Sequence, residues 1–365
     1  MPGVTFNTGG KNTYVFEPRS CVVVPSQMAH RLPKGGGAPS DLVPPSPQKI
    51  KTHILRYGLA ELIIEVTALC NHRCAYCIHS EFYQYQRDHS KENITDENVI
   101  KAVDFYLDQL EAGAVYNPHR KPIITFYGGE PLINYRAVRL AVEHAESRCE
   151  ERPLFLLTTN ATLLTKSIID HLIEHEFIPL FSIDGDREDH DRNRRFVNRR
   201  PIHSRVTARV RDYVNASNKP AFINSIIDPK TDLVRMMDFF VSNPDFWPYA
   251  VSPANYYGTS YYLQFTPSDF DRMRGQFKEL GALFRELMSV EDVSDEDRLR
   301  RRFLYALVGR SALHPFLKTI FKEEGAASQP LPFTGSCVPG DKLFVDYQGT
   351  FYACEKLHEM RQWEA

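Results

Sequence analysis

Short apolar runs alternate with amphipathic stretches from residue 62 onward. Runs at 62–67, 123–127, 155–159, 179–183 and 221–227 read as strands, with a sixth at 249–253. Helical periodicity fills the gaps at 97–111, 135–149, 166–175, 205–215 and 232–241. Strands that alternate with helices pair in parallel through right-handed crossovers. Six such units predict an α/β fold in which residues 55–255 form a partial (β/α)6 TIM-type barrel. Beyond it, Phe270, Met273, Phe277, Leu280, Phe284 and Leu287 recur at spacings of three and four, one apolar helix face within a helical bridge over 256–330. A second helix starts near Glu296 and runs up to Pro315.

The ends of the chain follow other patterns. Residues 1–30 alternate at 13–16 and 21–24, with a Gly9-Gly10 turn signal before them and Pro18 between, and predict a small β-meander. Residues 31–48 carry five prolines and Gly35-Gly36-Gly37 with almost no large apolar side chains. Burial there cannot offset the entropy of ordering, so the stretch reads as a flexible linker. Residues 331–365 return to β-rich, turn-rich sequence around Gly340 and Gly349. With 42% hydrophobic and 25% charged residues over 365 positions, global disorder is excluded. The 44 Lys and Arg against 46 Asp and Glu leave a formal charge of −2, so no bulk field draws the chain to nucleic acid or to an anionic membrane. No apolar run reaches the ~18–20 residues of a membrane helix and no signal peptide opens the chain, so a cytoplasmic location is expected. Seven cysteines, three of them packed together, make a poor disulfide framework and point to metal or redox chemistry.

Directly after the first predicted strand stands Cys70-Asn71-His72-Arg73-Cys74-Ala75-Tyr76-Cys77, a C-x3-C-x2-C run in a loop. Three converging thiolates suit two kinds of centre. Zinc closes with four ligands, and the fourth would be His72 or His79. An iron–sulfur cluster held by three cysteines leaves one iron without a protein ligand, where a substrate or cofactor can coordinate. Tyr127-Gly128-Gly129-Glu130-Pro131 ends the second strand, Thr159-Asn160-Ala161-Thr162 the third and Ser182-Ile183-Asp184-Gly185 the fourth. Barrel enzymes place their sites at such strand C-termini. Singly, a glycine pair is a tight turn and Asn160 a helix cap; in this order they form a set.

The set resembles the signature of the radical S-adenosylmethionine (SAM) superfamily. The resemblance implies that Cys70, Cys74 and Cys77 hold a [4Fe–4S] cluster with an open iron site, and that SAM is cleaved reductively there to a 5′-deoxyadenosyl radical that abstracts hydrogen. It also implies that Gly128, Gly129 and Glu130 surround the methionyl ammonium of SAM, with Glu130 as its countercharge. Tyr76 and Asn224 are then expected on the adenosyl part, and Asn160, Ser182 and Arg194 on the ribose or carboxylate. Asp184 is a candidate proton acceptor at the barrel mouth, with a backbone-capping role as the alternative. An external electron donor such as flavodoxin or ferredoxin follows from the same resemblance.

In the tail, Cys337-x11-Gly349-x4-Cys354 resembles the opening half of the SPASM pattern, which carries auxiliary iron–sulfur clusters. Two thiolates seldom hold a cluster, so 331–365 reads as a truncated SPASM-like β-hairpin extension whose further ligands are expected beyond Ala365. Cys21 and Cys149 read as ordinary thiols. The whole resembles maturases of ribosomally made peptides, whose N-terminal unit docks a leader peptide by strand addition. Within that group the tail looks most like thioether-forming ranthipeptide maturases, which implies a cysteine-containing precursor peptide as partner. The seven arginines between Arg187 and Arg205 form either a receiving loop for peptide carboxylates or a solvated charged loop. Three alternatives stand beside this reading: an anaerobic sulfatase-type formylglycine-generating maturase, a carbon–carbon crosslinking maturase, and a zinc-binding interaction protein.

Overall fold

A computed structural model describes residues 4–7, 13–17, 22–31, 46–83, 89–256, 258–313 and 340–353. Strands β1 (Val4–Asn7), β2 (Thr13–Glu17) and β3 (Val22–Pro25) pair antiparallel in chain order, the meander that Gly9-Gly10 and Pro18 punctuate. Residues 32–45, most of the expected linker, lie outside the described residues. The linker boundary at 48 falls inside a helix, α1 (Pro47–Tyr57). The Ser46 hydroxyl accepts from the Lys49 amide at 3.4 Å, and Pro47 occupies the first turn, where a missing N–H costs nothing.

The central units follow in order: β4 (Glu61–Glu65), α2 (Asp96–Gly113), β5 (Ile123–Tyr127), α3 (Tyr135–Arg148), β6 (Leu154–Thr159), α4 (Lys166–Glu174), β7 (Ile178–Ser182), α5 (Arg187–Asn193), α6 (His203–Ser217), β8 (Ala221–Ile227), α7 (Leu233–Ser242) and β9 (Phe246–Pro253). After them come α8 (Pro267–Met288), α9 (Asp295–Leu304), β10 (Lys342–Val345) and β11 (Phe351–Tyr352). Strands β4 to β9 are parallel neighbours in sequence order, the six expected barrel units. The sheet stays open, ending at β9 on one side and β11 on the other.

One feature departs from the sequence reading. Strand β10 pairs in parallel with β4, Leu343 opposite Leu62, and turns back antiparallel into β11. The β-hairpin expected in the tail is present, and its first strand joins the edge of the barrel sheet. Its short length, with Leu343, Phe344 and Val345 all buried, leaves no alternation from which that partner could be read.

Local sequence explains the helices around the sheet. The Thr95 hydroxyl accepts from the Asn98 amide at 3.2 Å, Asp96 and Glu97 complement the helix dipole, and Val99, Val103, Tyr106 and Leu110 face inward from α2. Strands β5, β6 and β8 bury every second side chain, so Ile124, Phe126, Phe155, Leu157 and Ile223 pack under the helices while the alternate residues face the lumen. Thr266 and Asp269 form a reciprocal capping box at the start of α8, whose Leu280, Phe284 and Leu287 are buried. Helix α9 passes at Tyr305 into π-helical turns that run to Leu313, just short of Pro315. Among the described residues no helix is long and apolar enough to cross a membrane.

Candidate active site

The cysteine loop leaves β4 and is clamped from two sides. Its backbone binds the segment after α5, with Arg73 N–H donating to Arg195 O at 2.9 Å and Ala75 N–H to Asn193 O at 2.8 Å. Its Asn71 side chain spans to the turn after β6, donating to Thr162 Oγ1 at 2.9 Å and accepting from Asn160 Nδ2 at 2.8 Å. In that turn Ala161 holds a left-handed φ of 63°, fixed by Asn160 Oδ1, which accepts from both the amide (3.0 Å) and the hydroxyl (2.6 Å) of Thr162. Asn160 therefore braces the cluster loop.

Gly128 and Gly129 are required by loop-to-loop packing. Gly129 N–H donates to Thr67 O at 2.9 Å and Glu130 N–H to Leu69 O at 2.8 Å. A Cβ on Gly128 would meet Thr67 O at 2.3 Å, and one on Gly129 would meet Leu69 O at 2.2 Å. Gly128 also has φ 142°, which L-residues avoid. The close approach that glycine permits here is to the residues just before Cys70. Glu130 is 1% exposed. Its carboxylate accepts from Leu132 N (3.1 Å), Thr159 Oγ1 (2.6 Å) and Asn160 N (2.7 Å). Burial pushes its pKa up to about 7, with these hydrogen bonds holding it back.

Asp184 differs from its expected place at the barrel mouth. It is buried, Oδ2 accepts from the Tyr76 hydroxyl and from Arg194 Nε (2.9 Å), and Oδ1 accepts from the Ile226 amide (2.9 Å). The arginine-rich stretch is only partly a loop: Arg187 and Arg192 lie in α5 and Arg205 in α6, with Arg194, Arg195, Arg199 and Arg200 in the connection between them, and two of its arginines turn inward. Arg194 lies 5.3 Å over the Tyr76 ring, and Arg192 makes two 2.8 Å bonds to buried Asp228. Asp228 also accepts from Asn193 Nδ2 (2.7 Å) and from the Tyr261 hydroxyl (2.9 Å), a buried network behind the loop.

A cavity of about 1060 Å³ opens where these elements meet. Cys70, Cys74 and Cys77 line it, and so do Tyr76, Gly128, Gly129, Glu130, Asn160, Ser182, Arg194 and Asn224. Asp184 is absent from its wall. Ser182 and Asn224 stand side by side, paired across β7 and β8. None of the three forms a disulfide among the described residues. Burial pushes Cys74 up to about 12, partly offset by Arg194, and pushes Cys70 up as well, so without a cation these two sulfurs keep their protons. Three soft donors on one wall suit an iron–sulfur cluster. Cys337 and Cys354 lie outside the described residues. Cys149 stands at the end of α3, away from the cavity.

Beyond His72 and His79, the two candidate zinc ligands, which both line the cavity, sequence reasoning missed the other side of the mouth. His89 and residues 253–256 line it too. The Tyr83 hydroxyl donates to Asn255 O at 2.7 Å and Thr259 Oγ1 to Phe82 O at 3.1 Å, which ties the end of the cysteine loop to the segment after β9. Aromatic density in 76–83 and 256–265 was the available signal. Deeper in the lumen, sharing Tyr127 and Thr158, lies a second cavity of about 540 Å³ walled by Ile63, Leu156, Leu180 and Phe222. Barrel interiors are ordinarily packed at this level.

The radical SAM superfamily model matches residues 64–239. Over 172 residues the chain is 22% identical to a radical SAM cyclopropyl synthase, TigE, of Paramaledivibacter caminithermalis, covering 46% of this chain and 35% of that one. Over 139 residues it is 30% identical to a serine-type anaerobic sulfatase-maturating enzyme of Bacteroides thetaiotaomicron, covering 37% and 31%. These matches span about a third of the relatives' length. The fold is similar to that of anSMEcpe with bound AdoMet and Cp18Cys peptide (TM-score 0.54, 19% identity, 81% of this chain and 73% of that one). It is also similar to that of Streptococcus suis SuiB bound to precursor peptide SuiA (TM-score 0.52, 15% identity, 87% and 65%). The family match begins in β4 and spans the three cysteines, the Gly-Gly-Glu turn and the ends of β6 to β8, so residues 64–239 form a radical SAM domain.

Proposed function

We propose that this chain is the radical-generating part of a peptide maturase that abstracts hydrogen from a ribosomally made, cysteine-containing precursor and joins its sulfur to carbon in a thioether. The observation that carries the reading is the convergence of Cys70, Cys74 and Cys77 with the ends of β5 to β8 on one cavity. Cys70, Cys74 and Cys77 would hold a [4Fe–4S] cluster, which would supply one-electron reductive chemistry to bound SAM.

The protein's share is binding, orientation and exclusion of water. Glu130 faces the SAM ammonium: its two oxygens offer about four acceptor sites, of which protein donors use three. Arg194 presents its guanidinium to the SAM carboxylate, Ser182 and Asn160 serve the ribose, and Tyr76 and Asn224 flank the adenosyl part. Tyr76, Phe82, Tyr261 and Tyr262 pack edge to face on one side of the cluster loop and keep bulk water from it. The deeper apolar cavity gives the precursor's side chains room beneath the radical.

The outer modules extend the same reading. The three-stranded meander offers edges for a leader peptide by strand addition. Cys337 and Cys354 would begin a SPASM-like auxiliary site that takes up the second electron of the oxidative C–S bond formation, and flavodoxin or ferredoxin would supply the electron for SAM cleavage.

A second reading, formylglycine formation, draws on the similarity to the sulfatase-maturating enzyme. Thioether formation, and formylglycine formation from serine, each remove two hydrogens from the peptide, whereas formylglycine made from cysteine also exchanges sulfur for oxygen. Anaerobic, dithionite-reduced protein is incubated with SAM and small cysteine-containing precursors, followed by fragmentation mass spectrometry. Thioether formation protects a cysteine from alkylation; formylglycine reacts with a carbonyl reagent. Cysteines that all remain alkylatable in a product lighter by two hydrogens would instead mark carbon–carbon crosslinking. Absence of 5′-deoxyadenosine overturns the radical reading itself.

A further inference from the structure

We infer that Asp184 is the positioning residue that locks the cysteine loop to the cavity-facing Arg194, and that it is not the proton acceptor of the reaction. Three segments meet on this side chain and a fourth on its backbone amide. Oδ1 accepts from the Ile226 amide on β8 at 2.9 Å; Oδ2 accepts from Arg194 Nε at 2.9 Å and from the Tyr76 hydroxyl. The Asp184 amide donates to His190 Nδ1 on α5 at 3.2 Å. The residue itself follows the end of β7 and is 1% exposed.

A general base needs its proton within about 2.6–3.2 Å, directly or through one water. Asp184 does not line the cavity, and both oxygens already hold donors. What it does reach is the machinery on either side. Tyr76 lies between Cys74 and Cys77, so a fixed Tyr76 hydroxyl fixes the loop that carries two of the three sulfurs. Arg194 lines the cavity with a side chain 9% exposed, and among the described residues its ion pair is with Asp184. A planar guanidinium held at Nε, over the Tyr76 ring at 5.3 Å, keeps its outer nitrogens in one plane, the geometry that paired recognition of a carboxylate demands. One carboxylate thus sets the sulfur loop and the anion-binding fork at a common distance.

This inference rests on the reading of the cavity as a SAM site, and the test separates the two. Reconstituted wild type, D184N and Y76F are compared anaerobically for iron content, for SAM affinity by equilibrium binding, and for the change SAM makes in the electron paramagnetic resonance of the reduced cluster. Loss of an outer-shell partner costs ~10–100-fold. D184N is expected to weaken SAM binding by ~10–100-fold and to blunt the spectral change. Y76F, which keeps the Asp184–Arg194 pair, shifts both in the same direction by less, and carries the test alone if D184N does not load iron. Wild-type affinity in either iron-loaded variant overturns the inference. D184N that binds SAM normally and still makes 5′-deoxyadenosine, but no modified peptide, restores the proton-acceptor role. Wild type that neither binds SAM nor cleaves it removes the underlying reading instead.

Discussion

Gly129→Ala tests whether the glycine pair serves the packing of two loops. The added Cβ would stand 2.2 Å from Leu69 O, 2.5 Å from Leu69 C and 2.8 Å from Ala68 O, where ordinary contact begins at 3.4 Å. The backbone must therefore yield 1.2 Å at Leu69 O, and no side-chain rotation can supply it because all three neighbours are main-chain atoms. Parting the loops stretches Gly129 N–H to Thr67 O (2.9 Å) and Glu130 N–H to Leu69 O (2.8 Å). Overpacking costs about 1–3 kcal/mol and each lost hydrogen bond about 0.5–1.5 kcal/mol, together about 2–6 kcal/mol. At about 2–4 °C per kcal/mol for a domain of about 200 residues, the melting temperature falls by at least about 4 °C. Leu69 precedes Cys70, so iron loading falls too, and SAM cleavage drops by ~100-fold for a displacement of about 1 Å. The assay is thermal denaturation of metal-free protein, then iron content after reconstitution. Gly275→Ala is the control: nothing lies within 4 Å of its Cβ on α8, and Ala is expected to stabilise by about 0.5–1 kcal/mol. A G129A protein that melts with wild type and loads iron normally refutes the packing account.

Three further outcomes follow from the site. Alanine at Cys70, Cys74 or Cys77 each abolishes SAM cleavage and the cluster's visible absorption, whereas Cys149→Ala leaves both intact; a functional Cys77→Ala would remove that ligand assignment. Glu130 has its pKa raised to about 7 from 4.5, so its contribution to stability is fully present below about pH 4.5 and is lost as pH rises through about 7, when a buried carboxyl must charge. Metal-free protein should accordingly melt lower at pH 8 than at pH 5 by an amount that E130Q removes, and an unchanged slope in E130Q places the titration elsewhere. Asp228→Ala takes one of two carboxylates from the half-buried Arg192, which keeps Asp189, and leaves the buried Asn193 amide and Tyr261 hydroxyl short of an acceptor, so it should cost about 1–3 kcal/mol in chemical denaturation; a loss under about 0.5 kcal/mol would show that the network does not hold the segment behind the loop.

Much of the architecture was legible because it is written in local periodicity. Alternating strands and capped amphipathic helices determine a parallel α/β unit whichever side chains later fill its mouth, and β4 to β9 appear where those patterns lie. The reactive set was legible for a related reason: cysteine spacing, a glycine pair and polar strand ends are short-range features, and the barrel topology carries strand ends to one face. Other features had no local signal. Strand β10 finds its place beside β4 across more than half the chain, through backbone bonds that any sequence can make.

The sequence alone thus marked one wall of the cavity, the three cysteines and the residues at strand ends, since spacing and position suffice for that. Only the tertiary structure decided what several of them do there. Gly128 and Gly129 admit the carbonyls of Thr67 and Leu69, Glu130 braces β6, and Asp184 holds Tyr76 and Arg194 together. The physical reason is that a side chain's role depends on which donors and acceptors compete for it in space. At 1% exposure those competitors come from as far as 108 residues away.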